Sequence, residues 1–409
     1  MTRFIVRMTR GAGVGVLFGA VSLAGATGVA GATGVAGAQP QSRALVAAPT
    51  AKVPKGFRAN SITWISPERG WVLGSAPCSS PASGPTGPGC AYVIGTTNGG
   101  KTWSLTGAVK THLVSGEHGV SEIRFASSEV GWAYGPDLYR TTNGGRSWTK
   151  VAIPGTGKQV VSLAASAGSG YAAVSPCPYQ SGAGGCLQKA YTFWRTATLT
   201  GAWIRIPLNV TVPAGMFDNG AEVAVYGKTV YALRSATNNF VTVFRDKLYA
   251  STNGINFSAR PDPCAAGLAL TQAVPMSDTD VALLCANGIG MGQTDKAVYR
   301  STNTGKKDTS AGVPPSGGDG PALAASPSGN LAVSAAFAAS YIFINDTGKA
   351  SWTQVVDETD GGLGWNDLVY VSDQEAWIVH EPAQDACPCA VGQVFVTRDG
   401  GRHWTLARL

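Results

Sequence analysis

The sequence predicts an all-β protein, a seven-bladed β-propeller of four-stranded antiparallel blades. Three observations carry the prediction. A turn phrase, TTNGGKTW, stands at Thr96–Trp103 and recurs as TTNGGRSW at Thr141–Trp148 and as TRDGGRHW at Thr397–Trp404. Worn copies lie at Ser251–Phe257, Ser301–Lys307 and Asn345–Trp352. The copies keep a coarse register: Asn98 to Asn143 is 45 residues, Asn253 to Asn303 is 50, and Asn143 to Asn253 is 110, which is two units. Repetition at this period marks a repeat architecture, and four-stranded units repeated radially make a propeller.

Within each unit the strands can be placed in order. Ser61–Gly74, Glu122–Gly135 and Val369–Val379 each read as an alternating apolar run, a polar turn, and a second apolar run beginning near a Trp. The same outline persists at Val161–Val174, Glu222–Leu233, Ala273–Leu284 and Ala322–Ala335. Such period-two runs bounded by Gly, Ser, Asp and Pro are strands. A third strand follows, as at Ala91–Gly95 and Leu138–Thr141, then the phrase, then a fourth strand starting at its Trp. The seven units fall at about 57–108, 120–154, 160–208, 220–262, 268–315, 320–358 and 363–409. The third has lost the phrase but keeps its place at Trp194–Trp203. Closure of the ring needs no exchanged strand if the last unit is complete; otherwise Ala44–Val53 would supply one.

The phrase has a physical reading as the hairpin between strands three and four. Gly100, Gly145 and Gly401 supply positive φ without steric cost. Asn98, Asn143 and Asp399, two residues earlier, can accept hydrogen bonds from the amides of the turn. Trp103, Trp148 and Trp404 close it and bury a large ring between neighbouring sheets.

Composition agrees. Of 409 residues only 13% are charged, Gly numbers 54 and Trp 11, a mixture suited to short strands and tight turns. Residues 1–38 read as a secretory signal. Arg3, Arg7 and Arg10 precede an apolar stretch, and Ala-Gly-Ala triplets offer cleavage sites, the favoured one after Ala38. Residues 39–56 read as a linker and 57–409 as the propeller. The formal charge of +7 falls to +4 once the three leader arginines are removed. No Lys/Arg run forms a nucleic-acid footprint, and no segment besides the leader could span a membrane. An exported chain is expected, with anchoring by an uncleaved leader as the lesser alternative. Eight cysteines fall in local pairs, Cys78 with Cys90, Cys177 with Cys186, Cys264 with Cys285, and Cys387 with Cys389, as disulfides of an exported chain would. Their spacing and that of the four His residues match no metal site, and no cofactor motif is present.

The phrase resembles the Asp-box, or BNR repeat, of sialidases, sortilin-type receptor domains, xyloglucanases and the photosystem II assembly-factor propellers. The resemblance covers about 57–409, with Asn where the family usually has Asp, except at Asp346 and Asp399. It implies that the boxes are structural turns on the face opposite the ligand. In style the compact blades are most similar to the assembly-factor group, which implies a non-enzymatic scaffold, monomeric, binding a protein or a glycan outside the cell.

The alternative is a sialidase-like or other glycoside hydrolase. Sialidases need three arginines, a Tyr–Glu pair and an acidic donor. Phe57-Arg58-Ala59-Asn60 sits where sialidases carry a Phe/Tyr-Arg-Ile-Pro start, and Arg124 and Arg234 are expected on inner strands facing the channel. Glu122, Glu222 and Asp367 could supply a pair of carboxylates of the kind glycoside hydrolysis requires. Trp365 and Asp367, opening the seventh unit, and Glu122, opening the second, are the candidate binding residues near the funnel, with Arg58, Arg124 and Arg234 beside them. The long 2–3 connections that carry the cysteines would form the working face.

Overall fold

A computed structural model describes residues 51–409 apart from 79–88, 115–116, 167, 179–189, 209, 239–242, 288–292, 338, 347–349, 359–363 and 382–391. The leader with its cleavage site, the start of the linker, Cys186, Cys387 and Cys389 lie outside the described residues.

Alternating strands and glycine turns fold into seven four-stranded antiparallel sheets, each made of four strands consecutive in the chain. The blades occupy 58–112, 122–150, 159–206, 217–260, 269–310, 319–358 and 364–406. Strand one of each blade is innermost and strand four outermost. Second strands are largely apolar and mostly buried, as in Val281–Ala286. Most fourth strands are short and exposed, as in Thr149–Lys150, Thr309–Ser310 and Thr405–Leu406, which leaves little free edge for unwanted pairing.

The core is divided among the seams. Seven apolar clusters each join one blade to the next. The last of them joins blade 7 to blade 1 through Ile62, Trp64, Val72, Val369, Trp377 and Val396. Among the described residues no strand crosses this seam: the first sheet runs 58–112 and the last 364–406, each in its own order. Ala51 instead bridges Leu105 on the outer strand of its own blade.

The recurring phrase forms the expected hairpin. Gly99 and Gly100 take φ of 68° and 73°. Asn98 Oδ1 accepts from Thr102 N at 3.0 Å, and Thr96 Oγ1 accepts from Gly100 N at 3.0 Å. The pattern repeats at Asn143 with Ser147 N and at Asp399 with His403 N, both 3.0 Å. Trp148 donates its Nε1–H to Gly145 O at 3.0 Å, and Trp404 to Gly401 O at 2.9 Å. The glycines have a second cause. A side chain at Gly100 would strike the Trp377 ring from strand two of blade 7, and one at Gly254 would strike the Tyr171 hydroxyl from strand two of blade 3. These two turns therefore lie flat on an aromatic ring of the preceding blade.

Two disulfides are described, Cys78–Cys90 and Cys264–Cys285. The first closes the base of the 2–3 connection of blade 1. The second ties the connection between blades 4 and 5 to the end of strand two of blade 5. Both lie at the end of the barrel opposite the repeated turns. Cys177 is also disulfide-bonded. Replacing Cys264 and Cys285 with Ala is expected to lower unfolding free energy by about 2–4 kcal/mol, the usual effect of losing a native cross-link. Denaturant titration against the parent, with and without reductant, measures it; equal midpoints in oxidising buffer would show that the cross-link contributes nothing.

Candidate functional site

The channel wall is made of the seven innermost strands, and its polar side chains reach sideways from blade to blade. Ser61 in blade 1 accepts from Ile123 N of blade 2 at 3.1 Å. Ser162 in blade 3 accepts from Val223 N of blade 4 at 3.1 Å. Gln272 in blade 5 accepts from Leu323 N of blade 6 at 2.7 Å and donates to Leu323 O at 3.0 Å. The Tyr134 hydroxyl, from strand two of blade 2, meets the Leu163 backbone of blade 3. A free inner-strand amide in a dry wall would cost about 1–3 kcal/mol, so these side chains fasten the seams.

The fastening is elaborated where blades 7, 1 and 2 meet. Asp367 sits in strand one of blade 7 at a register shift between Asn366 and Val369, with φ of 53°. Among non-glycine residues Asp tolerates that conformation better than most, and the bulge turns its carboxylate along the wall. Asp367 Oδ2 accepts from Ile62 N at 2.9 Å and from the Ser61 hydroxyl. Asp367 Oδ1 receives Arg124 Nη2 at 2.7 Å. Arg124 also donates from Nη1 to Ile123 O at 2.7 Å, and its Nη2 lies 3.3 Å from Glu122 Oε2. The Arg124 residue is 2% exposed, whereas the Glu122 side chain keeps 19% of its surface open.

Burial disfavours the Arg124 cation, but the facing Asp367 carboxylate outweighs it and raises the guanidinium pKa further. Burial, with Asp367 alongside, pushes the Glu122 carboxyl up from the ordinary 4.5 to about 8, against the pull of Arg124 and Ser61. Burial also pushes the Tyr134 hydroxyl up. The folded protein therefore holds a proton on Glu122 that the unfolded chain releases near 4.5. That contribution to stability is fully present below the unfolded value and is lost as pH rises toward about 8. Thermal midpoints across this window should fall with rising pH, and Glu122→Gln should flatten the fall; parallel curves for both proteins would refute the assignment.

Of the residues singled out from the sequence, Glu122, Arg124 and Asp367 come together. Trp365 precedes Asp367 by two residues but is buried against His380, 4.5 Å between ring centroids, and Phe395, 5.9 Å. Arg58 opens strand one of blade 1, exposed, opposite Ser75. Arg234 is not on an inner strand. It lies in strand two of blade 4, buried, and donates to Arg245 O at 3.1 Å and Thr211 O at 2.5 Å. Two acids flank it there, and its long side chain is used as a strut between connections. The three arginines thus occupy three separate surroundings. Glu222 is buried in strand one of blade 4. Sequence reasoning passed over Ser61, Tyr134, Ser162 and Gln272. The one signal available was a polar residue inside an otherwise apolar run.

Asp246 and Asp262 with the Cys264 sulfur approach metal-ligand spacing. That sulfur is committed to the disulfide with Cys285, so no thiolate is offered.

No family profile matches the chain, and no curated protein matches it. Among solved structures it is similar to a puromycin-hydrolyzing peptidase of Mycobacterium tuberculosis, at 11% identity over 88% of this chain and 56% of that one, TM-score 0.52. It is similar to an oligogalacturonate lyase in complex with manganese, at 10% identity over 78% of this chain and 87% of that one, TM-score 0.51. It is also similar to YCF48 from Cyanidioschyzon merolae, at 12% identity over 86% of this chain and 98% of that one, TM-score 0.47. The chain spans about half the length of the peptidase. At these identities the likeness is one of fold: an all-β, seven-bladed propeller.

Proposed function

We propose that the chain is an exported binding scaffold that presents a protein or glycan site on the face opposite its repeated turns. The observation that carries this reading is the use made of the acid–base residues. Arg124 and Asp367 are buried in the wall and bonded across three blades, so their charges are spent on one another. The Tyr134 hydroxyl is pushed away from ionisation, the reverse of what a nucleophilic Tyr needs. The opposite face carries the connections closed by Cys78–Cys90 and Cys264–Cys285. Long connections held on a rigid frame are where propellers and other scaffolds place recognition. The repeated turns fit the structural hairpins that the Asp-box resemblance implies.

A hydrolase is the second reading, and Glu122 is the observation in its favour. A carboxyl held protonated and partly open beside the Arg124–Asp367 pair is the arrangement a general acid requires. Assay of the exported protein against fluorogenic sialosides and a panel of aryl glycosides, beside glycan-array and pull-down binding, separates the two. Binding without turnover supports the scaffold. Turnover abolished by Glu122→Gln overturns it.

A further inference from the structure

Three of the repeated turns carry the dipeptide Asn-Gly, at Asn98–Gly99, Asn143–Gly144 and Asn253–Gly254. Glycine lacks the side chain that would shield its amide, so each pair could cyclise. Two of them are doubly restrained. Gly99 N donates to Glu68 O at 3.0 Å and Gly144 N to Glu129 O at 2.8 Å, both carbonyls of the adjoining 1–2 turn. Asn98 Nδ2 donates to Thr102 Oγ1 at 2.8 Å and Asn143 Nδ2 to Ser147 Oγ at 2.9 Å. The attacking nitrogen and the departing one are thus both held.

The blade 4 turn lacks both restraints. No described residue accepts a hydrogen bond from Gly254 N, and none accepts one from Asn253 Nδ2. The position that carries Thr102 or Ser147 in the other turns is Phe257, which has no hydroxyl. Asn253 Oδ1 still accepts from Ile255 N and Asn256 N, both 2.9 Å. These bonds draw electrons from the carboxamide carbon. Asn253 itself is exposed.

We infer that Asn253 is a built-in site of spontaneous deamidation, while the Asn98 and Asn143 turns are protected by their own hydrogen bonds. Gly254 is buried against the Tyr171 hydroxyl, so its amide nitrogen gives up its proton to hydroxide when the turn opens, and attacks Asn253 Cγ. The C–N bond to the carboxamide nitrogen breaks, that nitrogen leaves as ammonia, and a succinimide remains. Water then opens the ring to Asp or isoaspartate. The Asp product keeps the oxygen acceptor that the turn uses, as Asp399 does in blade 7. The isoaspartate product inserts an extra backbone carbon and breaks the hairpin register.

The test uses the wild-type protein. It is incubated at 37 °C in mildly alkaline buffer, sampled over days, digested with trypsin and mapped by mass spectrometry. Because Arg260 precedes Pro261, Asn253 is read from a parallel chymotryptic digest, in the Ala250–Phe257 peptide, and Asn143 from the tryptic Thr141–Arg146 peptide. Asn253 should convert about tenfold or more faster than Asn98 and Asn143, the factor that two extra hydrogen bonds represent. The three rates should converge when the same incubation is run in denaturant. Equal rates in the folded protein, or Asn253 slower than either other site, would overturn the inference.

Discussion

Replacing Asp367 with Ala is expected to destabilise the propeller by about 3–5 kcal/mol, the usual consequence of leaving a buried charge without its partner. Arg124 is the charge concerned: it is 2% exposed and its strongest contact is Asp367 at 2.7 Å. Ile62 N and the Ser61 hydroxyl lose their acceptor in the same change. Glu122 should then ionise more readily, because Asp367 no longer opposes it and Arg124 is left to pair with it. That rearrangement recovers part of the loss. The informative comparison is Asp367→Ala with Arg124→Met added. Removing both charges should cost less than removing Asp367 alone, since no uncompensated cation then remains. Chemical denaturation of the four proteins measures the coupling. Additive losses would show that the two side chains act independently and that the seam is held by packing.

Replacing Trp71 with Ala is the apolar counterpart, with an expected loss of about 3–5 kcal/mol for a large aromatic removed from a packed core. The ring is 2% exposed and stacks on Phe125 of blade 2 with centroids 3.8 Å apart and planes 3° from parallel. Its Nε1 donates to Gly144 O, in the repeated turn of blade 2, at 3.2 Å. The substitution therefore opens a cavity at the seam and frees a carbonyl of the turn. Trp71→Phe should recover much of the packing but not the hydrogen bond, and should fall between the parent and the Ala variant. Calorimetric midpoints decide it. A Trp71→Ala protein as stable as the parent would mean that the blades hold together without this ring.

Much of the fold could be read from the chain because its strongest signals are local. A hairpin needs positive φ within a few residues of its start, and Gly99 and Gly100 declare it. The blade limits inferred from the phrase differ from the observed ones by a few residues at most ends. The polar fastening of the seams is another matter. Ser61 finds its donor 62 residues away and Gln272 its partner 51 residues away, while Asp367 reaches Ile62 across 305 positions. One hydroxyl or carboxyl in an apolar run carries no mark of which neighbouring strand it will face. Glu122, Arg124 and Asp367 stood out in the sequence for their charge, and the structure does gather them. Charge alone does not say whether such a cluster meets a ligand or closes a ring; what the structure shows is that Arg124 is buried within the wall. Arg234 misled for the same reason: its alternating run suits strand one or strand two equally.

The sheets allow the chain to be rewired. Each blade is completed by its own four consecutive strands, so the order of blades is set by covalent linkage and no single blade is obliged to come first. Val53 and Leu409 both pack against the cluster that joins blade 7 to blade 1, which brings the two ends of the described chain to one place. A circular permutant that links those ends and opens between Lys150 and Gln159 would start at blade 3 and finish at blade 2. The buried ion pair of Arg124 and Asp367 would then span a covalent joint, and the Tyr134–Leu163 contact would become the closure that chain connectivity no longer supports.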